Sequence, residues 1–180
     1  MSLPVSDKKR PPIRVLVADD EAEVRDAYRQ ILSEADMSSE TAVFHNLRER
    51  LFSKAVQEQL VKGVSPSDTT FTPMFCEGAE AAVAAVREAL AADDPFAVAF
   101  LDMRMPPGPD GVWAAARIRE LDPAIEIVIC TAYSDVDPRD IGGMVPPEEK
   151  LSYLQKPFHP HEIRQMTISL ASNGARNIVS

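Results

Sequence analysis

Residues 99–111, AFLDMRMPPGPDG, decide the fold. The apolar run that begins at Phe96 ends on Asp102, and the chain then passes through three prolines and two glycines. A short apolar run without polar alternation reads as a strand buried on both faces. The Pro/Gly stretch that follows is a stiff turn. After it, GVWAAARIREL (111–121) carries apolar residues at helical spacing. A buried strand that delivers a carboxylate to a turn and then a helix is one part of a βαβ unit. Asp102 itself stays open at this point: a turn former, a metal ligand or a nucleophile.

The same rhythm repeats on both sides. IRVLVADDE (13–21) is a Val-rich strand ending in acids, and EVRDAYRQILSEA (23–35) follows with helical spacing. TTFTPMFC (69–76) is a strand weakened by Pro73, which suits a sheet edge. GAEAAVAAVREALAADD (78–94) is an alanine-rich helix, AIEIVICTA (124–132) and LSYLQKP (151–157) are strands, and PHEIRQMTISLAS (160–172) is the last helix. Strands alternating with helices predict right-handed crossovers and a mostly parallel five-stranded sheet, doubly wound with helices on both faces. In such α/β sheets the functional residues gather beyond the C-terminal strand ends.

Bulk properties fit one domain. A chain of 180 residues with 45% hydrophobic content has ample material for one core. The net charge of −9 argues against direct nucleic-acid binding by this chain. No apolar stretch approaches the roughly 20 residues of a membrane span. Cys76 and Cys130 both sit in apolar runs and read as reduced core thiols of a cytoplasmic protein. Residues 1–12 read as a disordered lead-in, 13–172 as a single domain and 173–180 as a tail.

Two segments interrupt the rhythm. Residues 36–68 include ETAVFHNLRERLFSKAVQEQLVK, which places Val43, Leu47, Leu51, Ala55 and Leu60 on one face of an amphipathic inserted helix. The insertion helix and the last helix are the two candidate surfaces for a homodimer. SDVDPRDIGGMVPPEEK (134–150) has room only for a short helix starting near Asp137-Pro138. His45, His159 and His161 are expected to be exposed, and Trp113 half-buried.

Strand ends then bring together Asp19, Asp20 and Glu21 from one strand, Asp102 from another, Thr131 from a third and Lys156 from a fourth. Clustered carboxylates repel unless a positive group stands among them. Lys156 is one candidate and a hard cation such as Mg²⁺ the other. Phosphoryl transfer to a carboxylate uses all of these groups. Asp102 would be the nucleophile, and Lys156 and the cation would neutralise charge on the transferring group. The Thr131 hydroxyl would hydrogen-bond the phosphoryl oxygen once it has arrived.

VADDE, LDMRMPPGPDG, CTAYS and YLQKPF, in this order, resemble the receiver domain of two-component response regulators over roughly 13–35 and 70–172. The resemblance implies a flavodoxin-like sheet of order 2-1-3-4-5, interrupted by the insertion at 36–68. It implies that Asp102 is the phosphoacceptor, Asp20 a direct Mg²⁺ (or Mn²⁺) ligand and Asp19 a ligand mainly through water. The Arg104 backbone carbonyl would complete that shell. Thr131 and Tyr153 match the switch pair, and Lys156 the invariant lysine, with Lys156–Pro157 in cis. The implied function is a phosphorylation-activated switch in a phosphorelay, charged by a histidine kinase or phosphotransfer protein.

The turn after Asp102 is one residue longer than the usual pattern, through Gly108-Pro109. Arg104 and Tyr133 flank the approach of hydrolytic water and are expected to slow loss of the phosphoryl group. Two alternatives stand beside this reading. One is a Mg²⁺-dependent phosphatase or phosphotransferase with an aspartyl-phosphate intermediate. Enzymes of the haloacid dehalogenase type need a second acid where this chain has Arg104, which argues against it. The other is a degenerate receiver acting as a binding module, against which the complete set of site residues argues.

Overall fold

Val, Ile, Ala and Phe fill the central strands because both sheet faces are covered by helices. The computed structural model describes residues 11–33, 69–132 and 141–176, with side chains to Asn173. Its strands are β1 (Ile13–Ala18), β2 (Phe71–Cys76), β3 (Val98–Asp102), β4 (Glu126–Thr131) and β5 (Leu151–Gln155). The α-helices among the described residues are α1 (Ala22–Ser33), α2 (Ala79–Ala91), α3 (Gly111–Leu121) and α4 (Pro160–Arg176). All strand pairs are parallel and the order is β2-β1-β3-β4-β5, as expected.

Alternate residues of the apolar strands feed two separate cores. Leu16, Ala18, Ala99, Leu101, Ile127 and Ile129 pack with α2 and α3 on one face. Val15, Val17, Val98, Phe100, Val128 and Cys130 pack with Tyr28 and Ile31 of α1 and Ile163 of α4 on the other. β2 is an edge strand. Ile13 donates to the Thr70 carbonyl and Asp19 to that of Cys76, so the even-numbered residues of β2 carry the ladder. Pro73 therefore turns its missing N–H to the open edge.

Local hydrogen bonds hold both ends of α3. Asp110 caps α3 by accepting the Trp113 N–H at 2.8 Å. At the other end of α3, Arg119 is buried and donates to the carbonyls of Pro123, Ile125 and Lys150. These bonds tie the bottoms of β4 and β5 to the helix. The last helix runs on through Arg176, beyond the expected end at residue 172. Asn173 and Gly174 do not break the helix.

The inserted helix of 36–68, with His45, and the start of the segment at Asp137-Pro138 lie outside the described residues. Within the described part of that segment, Ile141 and Gly142 are helical, and a short 3₁₀ turn covers Glu148–Lys150. His159 and His161 are exposed as expected, and Trp113 is 37% exposed. Among the described residues no helix is long and apolar enough to cross a membrane.

Candidate functional site

The site residues Asp19, Asp102, Thr131 and Lys156 stand at, or one step past, the C-terminal ends of β1, β3, β4 and β5, and Asp20 two steps past β1. Asp19 donates its N–H to Cys76 and Lys156 donates to the Thr131 carbonyl at 2.9 Å. Met103, next to Asp102, donates to Cys130 at 2.8 Å. The carriers are therefore fixed in height by neighbouring strands rather than by flexible loops.

Lys156 joins the two buried acids. Its Nζ lies 2.7 Å from Asp19 Oδ2 and 2.6 Å from Asp102 Oδ1. The second oxygen of each acid has a backbone donor. Asp19 Oδ1 accepts the Glu21 N–H and Asp102 Oδ2 the Arg104 N–H, each at 2.9 Å. Asp19 is 2% exposed and Asp102 8%. Two carboxylates removed from water this far need such compensation. Burial raises the Asp102 pKa above the ordinary aspartate value, against the lowering by Lys156; the Asp19 charge adds to the rise. Burial pulls the Lys156 ammonium down, but its hydrogen bonds and charge contacts with Asp102 and Asp19 outweigh this and leave it raised.

Asp20 differs from its neighbour. It is half-buried, and its carboxylate has no hydrogen-bond or ion-pair partner among the described residues. Thr131 is half-buried and its hydroxyl donates to the Ala132 carbonyl at 2.9 Å, not to Asp102. Tyr153 is half-buried against the α2/α3 core. Arg104 is exposed, and Tyr133 lies outside the described residues. The Lys156–Pro157 bond is cis, as the resemblance implies. The turn after Asp102 also contains a cis bond at Pro106–Pro107.

Below the acids the floor is apolar. Tyr28 Oη and Cys130 Sγ are 3.2 Å apart, and the Tyr28 ring packs between Phe100 and Phe158, with centroids at 5.4 and 5.1 Å. Burial, then the charge and hydrogen bond of Cys130, push the Tyr28 phenol up. This floor keeps water away from one side of the carboxylates.

The donors suit a hard cation by type: three carboxylates and a backbone carbonyl, all oxygen. Among the described residues no group of three Asp, Glu, His or Cys side chains is drawn together as a ready cation cage. Instead, one lysine ammonium is shared between the two deepest acids. Asp20 is the uncommitted carboxylate, and the second lone pairs on the oxygens of Asp19 and Asp102 are not used by the described contacts.

The periodicity of α1 pointed to its apolar face and passed over Arg25. This side chain bonds the carbonyls of both Asp19 and Asp20. Nor did the sequence reading single out the buried Arg119 and Glu126. A charged residue inside an otherwise apolar strand, as Glu126 is in AIEIVICTA, was the available signal.

Comparisons with known proteins agree with this fold. The pattern described as the response regulator receiver domain matches residues 69–168, more than half of the chain. β1 and its acid pair precede the matched stretch, and the parallel pairing of β1 with β2 and β3 brings them to it. No curated protein matches the sequence. Among solved structures, a CheY-like receiver domain protein from Methanospirillum hungatei JF-1 has a TM-score of 0.61 at 14% identity, covering 93% of this chain and 99% of that one. A receiver domain protein from Clostridium thermocellum gives 0.60 at 16%, covering 93% and 99%. An adenylate cyclase from Rhodopirellula baltica gives 0.55 at 19%, covering 91% and 90%. At these identities the structural likeness speaks for the fold alone, and it is the fold the sheet order already gave. The sequence match supplies the rest: this chain belongs to the response regulator receiver domain family of two-component signalling.

Proposed function

We propose that the chain is a phosphorylation-activated switch that accepts a phosphoryl group on Asp102 from a histidine kinase or phosphotransfer protein. The observation that carries this reading is the single Lys156 ammonium held between Asp19 and Asp102. An ammonium so placed lies within reach of any phosphoryl oxygen arriving at Asp102.

In this reading an Asp102 carboxylate oxygen forms the new bond to phosphorus. The bond from phosphorus to the donor's imidazole nitrogen breaks, and that nitrogen keeps the electron pair. Lys156 pairs with a phosphoryl oxygen. The Thr131 hydroxyl leaves the Ala132 carbonyl and donates to another, and Tyr153 moves inward behind it. Asp20, Asp102 and the Arg104 carbonyl would hold Mg²⁺ or Mn²⁺, with Asp19 acting mainly through water. When bound, the cation supplies charge neutralisation on the transferring group. Arg104 and Tyr133 slow hydrolysis in this reading. The added charge and acceptor oxygens bias a two-state element that a partner reads.

Residues 13–172 form the receiver unit in this proposal, interrupted at 36–68, and act in the cytoplasm. The chain performs self-catalysed transfer and hydrolysis rather than turnover of a free substrate, since Arg104 occupies the position where a phosphatase of this type needs an acid. Intact-mass measurement after incubation with a small phosphodonor and Mg²⁺ tests the proposal. One phosphoryl adduct is expected, absent without the cation and absent in Asp102→Asn. Steady hydrolysis of a phosphomonoester, or an adduct that survives Asp102→Asn, would overturn it.

A further inference from the structure

Arg25 of α1 reaches the site from behind. Its Nη1 donates to the backbone carbonyl of Asp19 at 2.7 Å and to that of Asp20 at 3.0 Å. Its Nη2 donates to Glu77 Oε1 at 3.1 Å, just past the C-terminal end of β2. The Arg25 side chain is only 13% exposed, whereas that of Glu77 is 85% exposed. One guanidinium nitrogen thus gathers two successive carbonyls and turns both peptide planes towards α1. The planar fork of arginine makes such a clamp rigid, and an ammonium on a flexible stem does not reproduce it.

We propose that Arg25 is a positioning residue for the cation: it fixes the backbone of Asp19 and Asp20, so that the uncommitted Asp20 carboxylate is held ready beside Asp19. Glu77 orients the guanidinium from the neighbouring loop. The inference rests on the cation reading of the preceding subsection. It concerns affinity, and touches neither the phosphoacceptor nor Lys156.

Electrostatics and positioning predict opposite signs here. A positive group close to an acid pair repels an incoming cation, so removing its charge should tighten cation binding. Removing the clamp should loosen binding, because residues that orient a metal's ligands typically contribute about 10–100-fold in affinity. The direction of the change separates the two effects.

The test is calorimetric titration of Mg²⁺ and of Mn²⁺ into metal-free wild type, Arg25→Met and Arg25→Lys. Thermal melts of each metal-free protein locate the folded range. Arg25→Met is expected to bind about tenfold more weakly. Arg25→Lys keeps the charge and is expected to lose part of that affinity, which isolates the clamp from the charge. Unchanged or tighter binding by folded Arg25→Met overturns the inference. If Arg25→Met does not fold, unchanged affinity in Arg25→Lys overturns it instead. A wild-type protein that takes up neither cation would overturn the cation reading itself, a result distinct from a wild type that binds and a variant that binds equally well.

Discussion

Gly111 lies directly against the backbone of Asp102: a Cβ at this glycine would stand 2.1 Å from the Asp102 carbonyl oxygen and 2.9 Å from its carbonyl carbon. The Gly111 N–H donates to the Met103 carbonyl at 3.0 Å, so the turn from Met103 to Asp110 closes on its own base. The opening of the helix and the end of β3 are packed backbone to backbone. No flexible side chain is there to yield. Gly111→Ala therefore forces apart the two elements that hold Asp102. Overpacking of this kind costs typically about 1–3 kcal/mol and occasionally more, and an obstacle made of backbone puts this site at the upper end. Urea unfolding of the variant measures it. A loss below about 0.5 kcal/mol, the range of ordinary surface substitutions, would show that the turn relaxes freely.

Lys156→Met leaves Asp19 and Asp102 without their shared ammonium. In the wild type the raised Lys156 pKa means that its contribution is fully present below the ordinary lysine value of about 10.4 and is lost as pH rises through the folded value. In the variant, Asp102 loses the partner that lowers its pKa, so burial and the Asp19 charge push it further up. A carboxyl with a raised folded pKa becomes less favourable to the fold as pH climbs from the ordinary carboxylate range through that raised value. The deficit against wild type should be about 1–3 kcal/mol at pH 7, below the cost of breaking a fully buried pair because Lys156 is partly exposed. It should shrink near pH 4, about the ordinary aspartate value, as Asp102 takes up a proton. Equal deficits at the two pH values in denaturant melts would assign the loss to packing rather than charge.

Burial pushes the Cys76 thiol up to about 11 and the Cys130 thiol up to about 12. The thiolate is the reactive form, so neither should be alkylated in the native protein at pH 8. Mass spectrometry after iodoacetamide treatment should find both cysteines unmodified in buffer and both modified in denaturant. Native labelling of Cys130 would mean that the floor beneath Asp102 opens on the timescale of the reaction.

Much of this was legible in the sequence because it obeys a short period. Buried parallel strands show as apolar runs, and IRVLVADDE, AFLDM and AIEIVICTA each end where the structure places the site. Pro73 marked the edge strand, and Lys156 before Pro157 marked the last strand end. Side-chain partnerships across the fold were not legible. Nothing local to Arg25 says that it will meet carbonyls behind the acid pair, and nothing local to Lys156 says that it will bridge Asp19 as well as Asp102. Such contacts depend on how high neighbouring strands stand relative to each other, a tertiary quantity set by register. The helix end at Arg176 escaped for a different reason. Asn and Gly are terminators by propensity alone, a weak preference that tertiary context overrides.

Arg119 sits at the opposite end of the sheet from Asp102 and offers a control for the site predictions. Its guanidinium donates to the Ile125 carbonyl at 2.6 Å, to Lys150 at 2.9 Å and to Pro123 at 3.1 Å, while its buried Nε has no partner among the described residues. Burial lowers its pKa, and the charges of Glu126 and Asp122 resist that change. Arg119→Met removes three donors from carbonyls at the bottoms of β4 and β5 and takes the positive charge away from Glu126. Lys150 remains beside Glu126 at 3.1 Å, which limits the damage. Relief of the desolvated guanidinium works in the other direction. Unsatisfied buried acceptors cost about 1–3 kcal/mol each when left unsolvated, and partial compensation should leave a net loss of about 2–4 kcal/mol. Because the lesion lies away from the acid pocket, the folded variant should still take one phosphoryl group on Asp102 and bind cation with wild-type affinity. Melts, intact mass and calorimetry on the same sample check all three. A variant of unchanged stability would show the three hydrogen bonds to be matched by water once the arginine is gone, and altered cation affinity would show that the two ends of the sheet communicate through β4 and β5.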